Sequence, residues 1–316
     1  MRTERRLEGV LPVWKPADWT SHDVVARVRR LLGLRRIGHS GTLDPAATGV
    51  LPLCLGRATR LVEYLQLLPK TYDVTMVFGY ATDTEDDTGT VVERVDCVEI
   101  GESDIRATIL SFVGRIEQTP PLYSAVKVGG KRLYEWAREG KTVERKSRVV
   151  TVYAIRNVSV YPDKPYPTAR FEVICSKGTY VRSLCTDIGR KLGVPATMRA
   201  LVRTAVGPFD RGACVMMEEL ESQSADGGWK ERLVPIDRAV GHFPSVALTG
   251  AAAASASVGR PIPLGLVSLS QGIDVSESGI VRVYGPGRVF IGLFRIDRAS
   301  EMLRPEKIFT AGGESD

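Results

Sequence analysis

The chain has 316 residues, 43% hydrophobic and 25% charged, with a formal net charge of +6. That is apolar material for one large domain plus a small one, or two of similar size. No apolar run is long enough to cross a bilayer, and the five cysteines are never spaced CxxC, which excludes a helical membrane span, a disulfide framework and a zinc site on spacing.

In chain order, the charged opening MRTERRLEGV lacks the apolar stretch of a secretory signal, which predicts a cytoplasmic protein. TSHDVVARVRRLLG predicts a helix with Ser21 as N-cap, Val24, Val25, Val28, Leu31 and Leu32 on one stripe, and Gly33 as its stop. TYDVTMVFGY alternates like a strand, with Tyr72, Val74, Met76 and Phe78 on one face. SDIRATILSFVG predicts a second capped helix, VVTVYAIRNVSV and TARFEVICS predict strands, and GTYVRSLCTDIGRKLG predicts a helix with Arg182 in its first turn. From about Ser245 the texture changes to a short Ala-rich helix followed by strand-like GIVRVYG and GRVFIGLFRID. Strands and helices mix without a regular βαβ rhythm, so the expected class is α+β with a mixed or antiparallel sheet, not a doubly wound one. The expected division is a large domain over 1–244 and a small β-rich one over 245–310, with 311–316 as a disordered tail.

The basic excess favours a polyanionic partner. It is also clustered. Arginines 27, 29, 30, 35 and 36 lie together, and a second segment, about 118–148, interleaves Lys127, Lys131, Arg132, Arg138 and Lys141 with Tyr123, Tyr134 and Trp136. Such a mixture suits phosphate contact plus base stacking, and equally suits a solvated amphipathic face.

Several motifs fail on inspection. DTEDDTGT resembles a calcium loop, but loop positions six and twelve, counted from Asp83, hold Thr88 and Arg94 where Gly and Glu are needed. SAVK at Ser124–Lys127 lacks the companion signatures of SxxK enzymes. The stretch RRIGHSGTLDPAATGVLPLCLGRATRL keeps one carboxylate, Asp44, in a Gly-rich, loop-like run that turns apolar. Two readings stand on local sequence: an Asp-Pro turn, or a carboxylate held for chemistry, because a buried one needs partners.

Here the residues resemble a known family. GHSGTLDPAATGVLPLCLGRATRL is similar to the signature of the TruB-type tRNA pseudouridine synthases. So, in order along the chain, are WKPADWTSHDVV, KTYDVTMVFGYATDTEDDTG, CSKGTYVRSLCTDIGRKLG and LVRTAVGPF, while GPGRVFIGLFRID with LRPEKIF resembles the small PUA-like RNA-binding module of bacterial members. The resemblance implies that Asp44 is the catalytic aspartate, Tyr72 the active-site tyrosine and Arg182 the active-site arginine. It places His39 where a histidine enters the T-loop and Leu201 on the uracil pocket. It puts Asp86 and Arg60 near the substrate and Lys15 in a motif beneath the site. TPPLYSAVKVGGKRLYEWAREG resembles the thumb-like insertion that closes over RNA.

The function implied by the resemblance is isomerisation of uridine 55 in the T-loop of tRNA, with no metal or cofactor, no obligate protein partner, and a monomer. The target base leaves its stack, Tyr72 stacks on it, and Asp44 attacks C1′ or C6. A carboxylate attacks only when ionised, a form that burial disfavours and a neighbouring guanidinium favours. Tyr72 is also a candidate for removing the C5 proton. Two alternatives remain: a non-catalytic RNA-binding or tRNA-folding protein on the same scaffold, and a guide-RNA-dependent relative. An intact Asp44, Tyr72 and Arg182 set argues against the first, and the thumb-like insertion against the second.

Overall fold

The computed structural model describes residues 7–141, 143–224, 226–267 and 279–310; the predicted tail lies outside them. Its centre is a mixed sheet built from β1 (Gly9–Lys15), β2 (Thr48–Leu55), β3 (Lys70–Phe78), β4 (Gly114–Gln118), β5 (Arg148–Tyr161), β6 (Thr168–Cys175), β7 (Ala196–Val206) and β8 (Val215–Met216). The order across the sheet is β8-β1-β2-β7-β3-β6-β5-β4, with short strands at Ile37–His39 and Phe209–Asp210 added to β2 and β7. Two pairings are parallel, β1 with β8 and β7 with β2; the rest are antiparallel.

The alternation of β3 fixes the sheet's inner face. Tyr72, Val74, Met76 and Phe78 point into one apolar cluster with Phe171, Val173 and Leu184. Burying Phe78 and Phe171 completely stabilises the fold by roughly 1.5–3 kcal/mol each. Helix α5 (Val181–Leu192) lays Val181, Leu184, Cys185 and Ile188 on that face and stops at Gly193, whose φ of 74° suits a residue without a Cβ. Helix α3 (Glu102–Leu110) covers the same cluster through Ile105 and Ile109; its N-cap is Gly101, with no side-chain cap.

Helix α1 (Ser21–Leu32) corrects the predicted cap. Thr20, not Ser21, is the N-cap, and it exchanges hydrogen bonds with Asp23 in a capping box. Ser21 lies inside the first turn. Its hydroxyl accepts from the Leu43 N–H at 2.9 Å and donates to the Leu43 carbonyl at 3.2 Å, tying α1 to the loop before Asp44.

A five-stranded sheet begins at Ser245. It holds β9 (Ser245–Ala247), β10 (Ile262–Pro263), β11 (Ile280–Tyr284), β12 (Phe290–Asp297) and β13 (Met302–Ile308), in the order β9-β11-β12-β13-β10. The Ala-rich helix Gly250–Ser257 packs on it. This unit shares an apolar cluster with the large sheet: Ile280, Leu293 and Phe309 pack with Val10, Val50, Leu61 and Tyr64. Among the described residues no helix is long and apolar enough to cross a membrane.

Candidate active site

A cleft of about 840 Å³ opens where the loop before β2, the start of β3, the start of α5 and the 119–147 segment meet. Asp44, Tyr72, Arg182, His39 and Leu201 all line it. The structure therefore brings together residues that lie far apart in the sequence.

Asp44 keeps 39% of its side chain exposed and pairs through Oδ2 with Arg182 Nε at 2.9 Å. Arg182 is only 5% exposed, and its other nitrogens are engaged by the protein. Nη1 donates to the Thr84 carbonyl at 2.8 Å and Nη2 to the Tyr123 carbonyl at 3.0 Å. A guanidinium with that many fixed partners presents one direction to the carboxylate. Asp86 Oδ2 lies 3.8 Å from Arg182 Nε, while its Oδ1 accepts from Thr84 Oγ1, Thr88 N and Thr88 Oγ1. Asp86 thus shapes the loop that supplies the Thr84 carbonyl.

The helix carrying Arg182 is clamped at its entry. The buried Gln118 amide donates to the Tyr180 carbonyl at 3.0 Å and accepts from the Tyr180 N–H at 2.8 Å. Tyr72 is buried with its ring in the inner cluster, and burial pushes its phenol above the ordinary value, opposed by the neighbouring Arg203 guanidinium. Burial lowers the His39 imidazole below its usual range, and its Nδ1 is enclosed without a hydrogen-bond partner. Lys127, Arg132 and Lys177 give the cleft a cationic lining.

Three of the predicted residues, Asp86, Lys15 and Arg60, do not line the cleft. Lys15 has no exposed surface, and its ammonium donates to the carbonyls of Pro16, Trp19 and Pro45 at 2.8, 2.6 and 2.9 Å. It supports the residue after Asp44 and does not reach the cleft surface. Arg60 sits in the turn Gly56–Leu61, donates to the Ile308 carbonyl at 2.6 Å and stacks over Phe309 at 5.4 Å. Its side chain is committed to the last strand of the small sheet.

Gly49, in the Asp44 stretch, serves the packing of the sheet. A Cβ on Gly49 would lie 2.2 Å from the Arg203 carbonyl oxygen, at a φ of 120°. This glycine lets β2 approach β7. In the 119–147 segment, Lys131 and Lys141 lie over the Trp136 ring, and Arg132 and Arg138 over Tyr134. These aromatic faces are already engaged by cations of the same segment.

Three residues escape sequence reading. Lys70 lines the cleft, donates to the carbonyls of Gln66 and Leu68, and is held by burial at a pKa of about 8. Glu85, at a φ of 63°, accepts from Ser183 at 2.6 Å. Arg203 is 1% exposed and donates to the carbonyls of Val50, Thr42 and Gly41 at 2.7, 3.2 and 3.0 Å. The available signal for Arg203 was a lone arginine inside an apolar strand-like run, LVRTAV.

Comparison with known proteins agrees with this arrangement. The TruB family pseudouridylate synthase N-terminal domain profile matches residues 29–181, and the tRNA pseudouridylate synthase B C-terminal domain profile matches residues 182–241. A Bacillus pumilus protein named tRNA pseudouridine synthase B is 41% identical over 98% of this chain and 100% of its own. Its Bacillus subtilis namesake is 48% identical over 75% of this chain and 78% of its own. Among solved structures, a chain of a Cbf5-Nop10-Gar1 complex superposes with a TM-score of 0.73 at 28% identity, covering 96% of this chain and 85% of that one. With both domain profiles running end to end across the cleft-forming elements and a relative matched along its full length, the chain belongs to the TruB family of pseudouridylate synthases.

Proposed function

We propose that this protein isomerises uridine 55 in the T-loop of tRNA to pseudouridine, acting in the cytoplasm as a stand-alone monomer. The observation that carries the reading is the Asp44–Arg182 pair: a half-exposed carboxylate, aimed by a buried guanidinium, in a cleft with cationic lining.

The target nucleotide flips into the cleft, at a cost of about a few kcal/mol that is smallest for a loop base. Tyr72 and Leu201 bound the uracil, a reading supported by their position on the cleft, and the neutral His39 ring meets the loop the base has left. Lys127, Arg132 and Lys177 are placed to meet phosphates. Asp44 Oδ1 or Oδ2 attacks C1′ or C6. The C1′–N1 bond breaks, the uracil turns, C1′ joins C5, and the bond from Asp44 to C1′ or C6 breaks to return the carboxylate. The proton lost from C5 is balanced by the one gained at N1, so no electrons leave the base.

The 119–147 segment serves as a thumb over the RNA, and its base touches Arg182 through Tyr123. The sheet from Ser245 serves as a PUA-like RNA-binding module. The test is tritium release from a T-arm stem-loop labelled at C5 of uridine. Wild type is expected to release it and Asp44→Asn to release none. Release by both would remove Asp44 from the nucleophile's role, and tight RNA binding without release by either would favour a non-catalytic binder.

A further inference from the structure

Arg203 is, after Trp229, the bulkiest side chain the fold encloses completely, and it is a cation. Among the described residues no carboxylate lies within ion-pair distance of it, so its charge is met by carbonyl dipoles. Burying an ion this way is costly, and an apolar residue of similar volume would cost less. The three carbonyls it holds are not scattered. Gly41 and Thr42 lie just before Asp44, and Val50 lies just after, on β2. The fork therefore closes the Asp44 loop at both ends.

The backbone of the same residue has a second position. In the sheet register Arg203 is the partner of Gly49 on one side and of Tyr72 on the other. The strand that carries Arg203 is thus the only layer of chain between the strand that follows Asp44 and the strand that carries Tyr72. The missing Cβ of Gly49 lets this contact close.

We infer that Arg203 is a positioning residue that sets the separation of Asp44 from Tyr72, its guanidinium clamping the Asp44 loop while its backbone pairs with Tyr72. Its side chain borders the cleft beside Tyr72, and it acts through Asp44 and Tyr72 rather than on the flipped base itself. The inference rests on Asp44 and Tyr72 being the reactive pair proposed above. A lysine keeps the charge, but one ammonium cannot reproduce the planar fork that spans three carbonyls. A displacement of about 1 Å at a reacting group costs roughly 100-fold in rate.

The test compares wild type, Asp44→Asn, Arg203→Lys and Arg203→Gln. Each is assayed for single-turnover tritium release with enzyme well above its Kd, for T-arm affinity by filter binding, and for its unfolding midpoint. Both Arg203 variants are expected to react about 100-fold more slowly while Kd changes by less than about threefold. Arg203→Lys should regain stability relative to Arg203→Gln without regaining rate, a separation that a purely structural arginine would not give. Folded variants that react at the wild-type rate, or whose rate loss follows their affinity loss, would overturn the inference. So would failure of both variants to fold, which would assign Arg203 to the fold alone. A silent wild type would instead overturn the proposed isomerisation.

Discussion

Lys15 shows how much of the site's geometry depends on groups that never meet the substrate. Its ammonium satisfies three carbonyls, and each would cost about 1–3 kcal/mol if left buried without a donor. Burial also penalises its charge, holding its pKa at about 8, so removing the ammonium relieves one cost while creating another. The three orphaned carbonyls outweigh the relief, and Lys15→Met should lose about 2 kcal/mol net in urea unfolding, with a larger proportional loss of rate as Pro45 is freed. An unchanged unfolding midpoint would show that water replaces the ammonium. Tyr72 gives a pH prediction. Burial raises its phenol above an ordinary value of about 10, so the group stays neutral from pH 7 to 9. Acting as a neutral ring against the uracil, it should contribute no rise in the single-turnover rate over that range. A tenfold rise per pH unit would mean that tyrosinate is the reacting form.

At the scale of elements, the 119–147 segment makes the clearest prediction. Lys127 and Arg132 line the cleft. Replacing either by Ala should weaken T-arm binding and reduce the slope of log K against log salt by about 0.7–0.9, leaving the single-turnover rate at saturation within a fewfold of wild type. Loss of rate with normal binding would mean that the segment takes part in catalysis. The elements also show what a sequence can and cannot declare. Strand β3, α1 and α5 were legible because each buries one face and exposes the other, leaving a period of two or 3.6 in the residues. Strands β1 and β2 were not: GVLPVWK and TGVLPLCL are enclosed on both faces, so no alternation survives, and each carries a proline that reads as a break. The cleft residues Asp44, Tyr72 and Arg182 were legible through motif resemblance, whereas Arg203 was not. Its one local trace is a lone arginine in an apolar run, which says nothing of its partners, since they are carbonyls that every residue carries. Arg60 lies in a stretch that resembles a site motif, and only the folded chain shows its side chain turned toward Phe309.

Across the whole molecule, buried titratable groups set the dependence of stability on pH. Lys15 and Lys70 are both held near a pKa of about 8 by burial. Between that value and about 10.4 the unfolded chain binds more protons than the native one, so stability rises with pH. Cys54, Cys175, Cys185 and Cys214 act with the opposite sign. Burial raises all four thiols, to about 12 for Cys54 and Cys214 and about 11 for Cys175. Above their ordinary value of about 8.5 the native state holds protons that the unfolded chain releases, and stability falls. Two lysines against four thiols balance near pH 8, so thermal melts should show a shallow maximum there followed by decline. A fall that already runs from pH 7 to 8 would show that the lysines titrate normally in the folded protein.

The cluster joining the two sheets has a consequence for synthesis. Ile280, Leu293 and Phe309 cover apolar surface around Leu61 and Tyr64, and the carbonyls of Ile308 and Phe309 occupy the guanidinium groups of Arg60 and Arg57. A chain emerging from the ribosome completes the cleft-forming strands long before those residues exist. Until they arrive, the finished half presents a sticky flank with Arg60 beside it and Arg57 held only by Glu8, the kind of surface on which chaperones act and nascent chains cluster. Early folding of the catalytic half is therefore bought with a period of vulnerability that only the last strand ends.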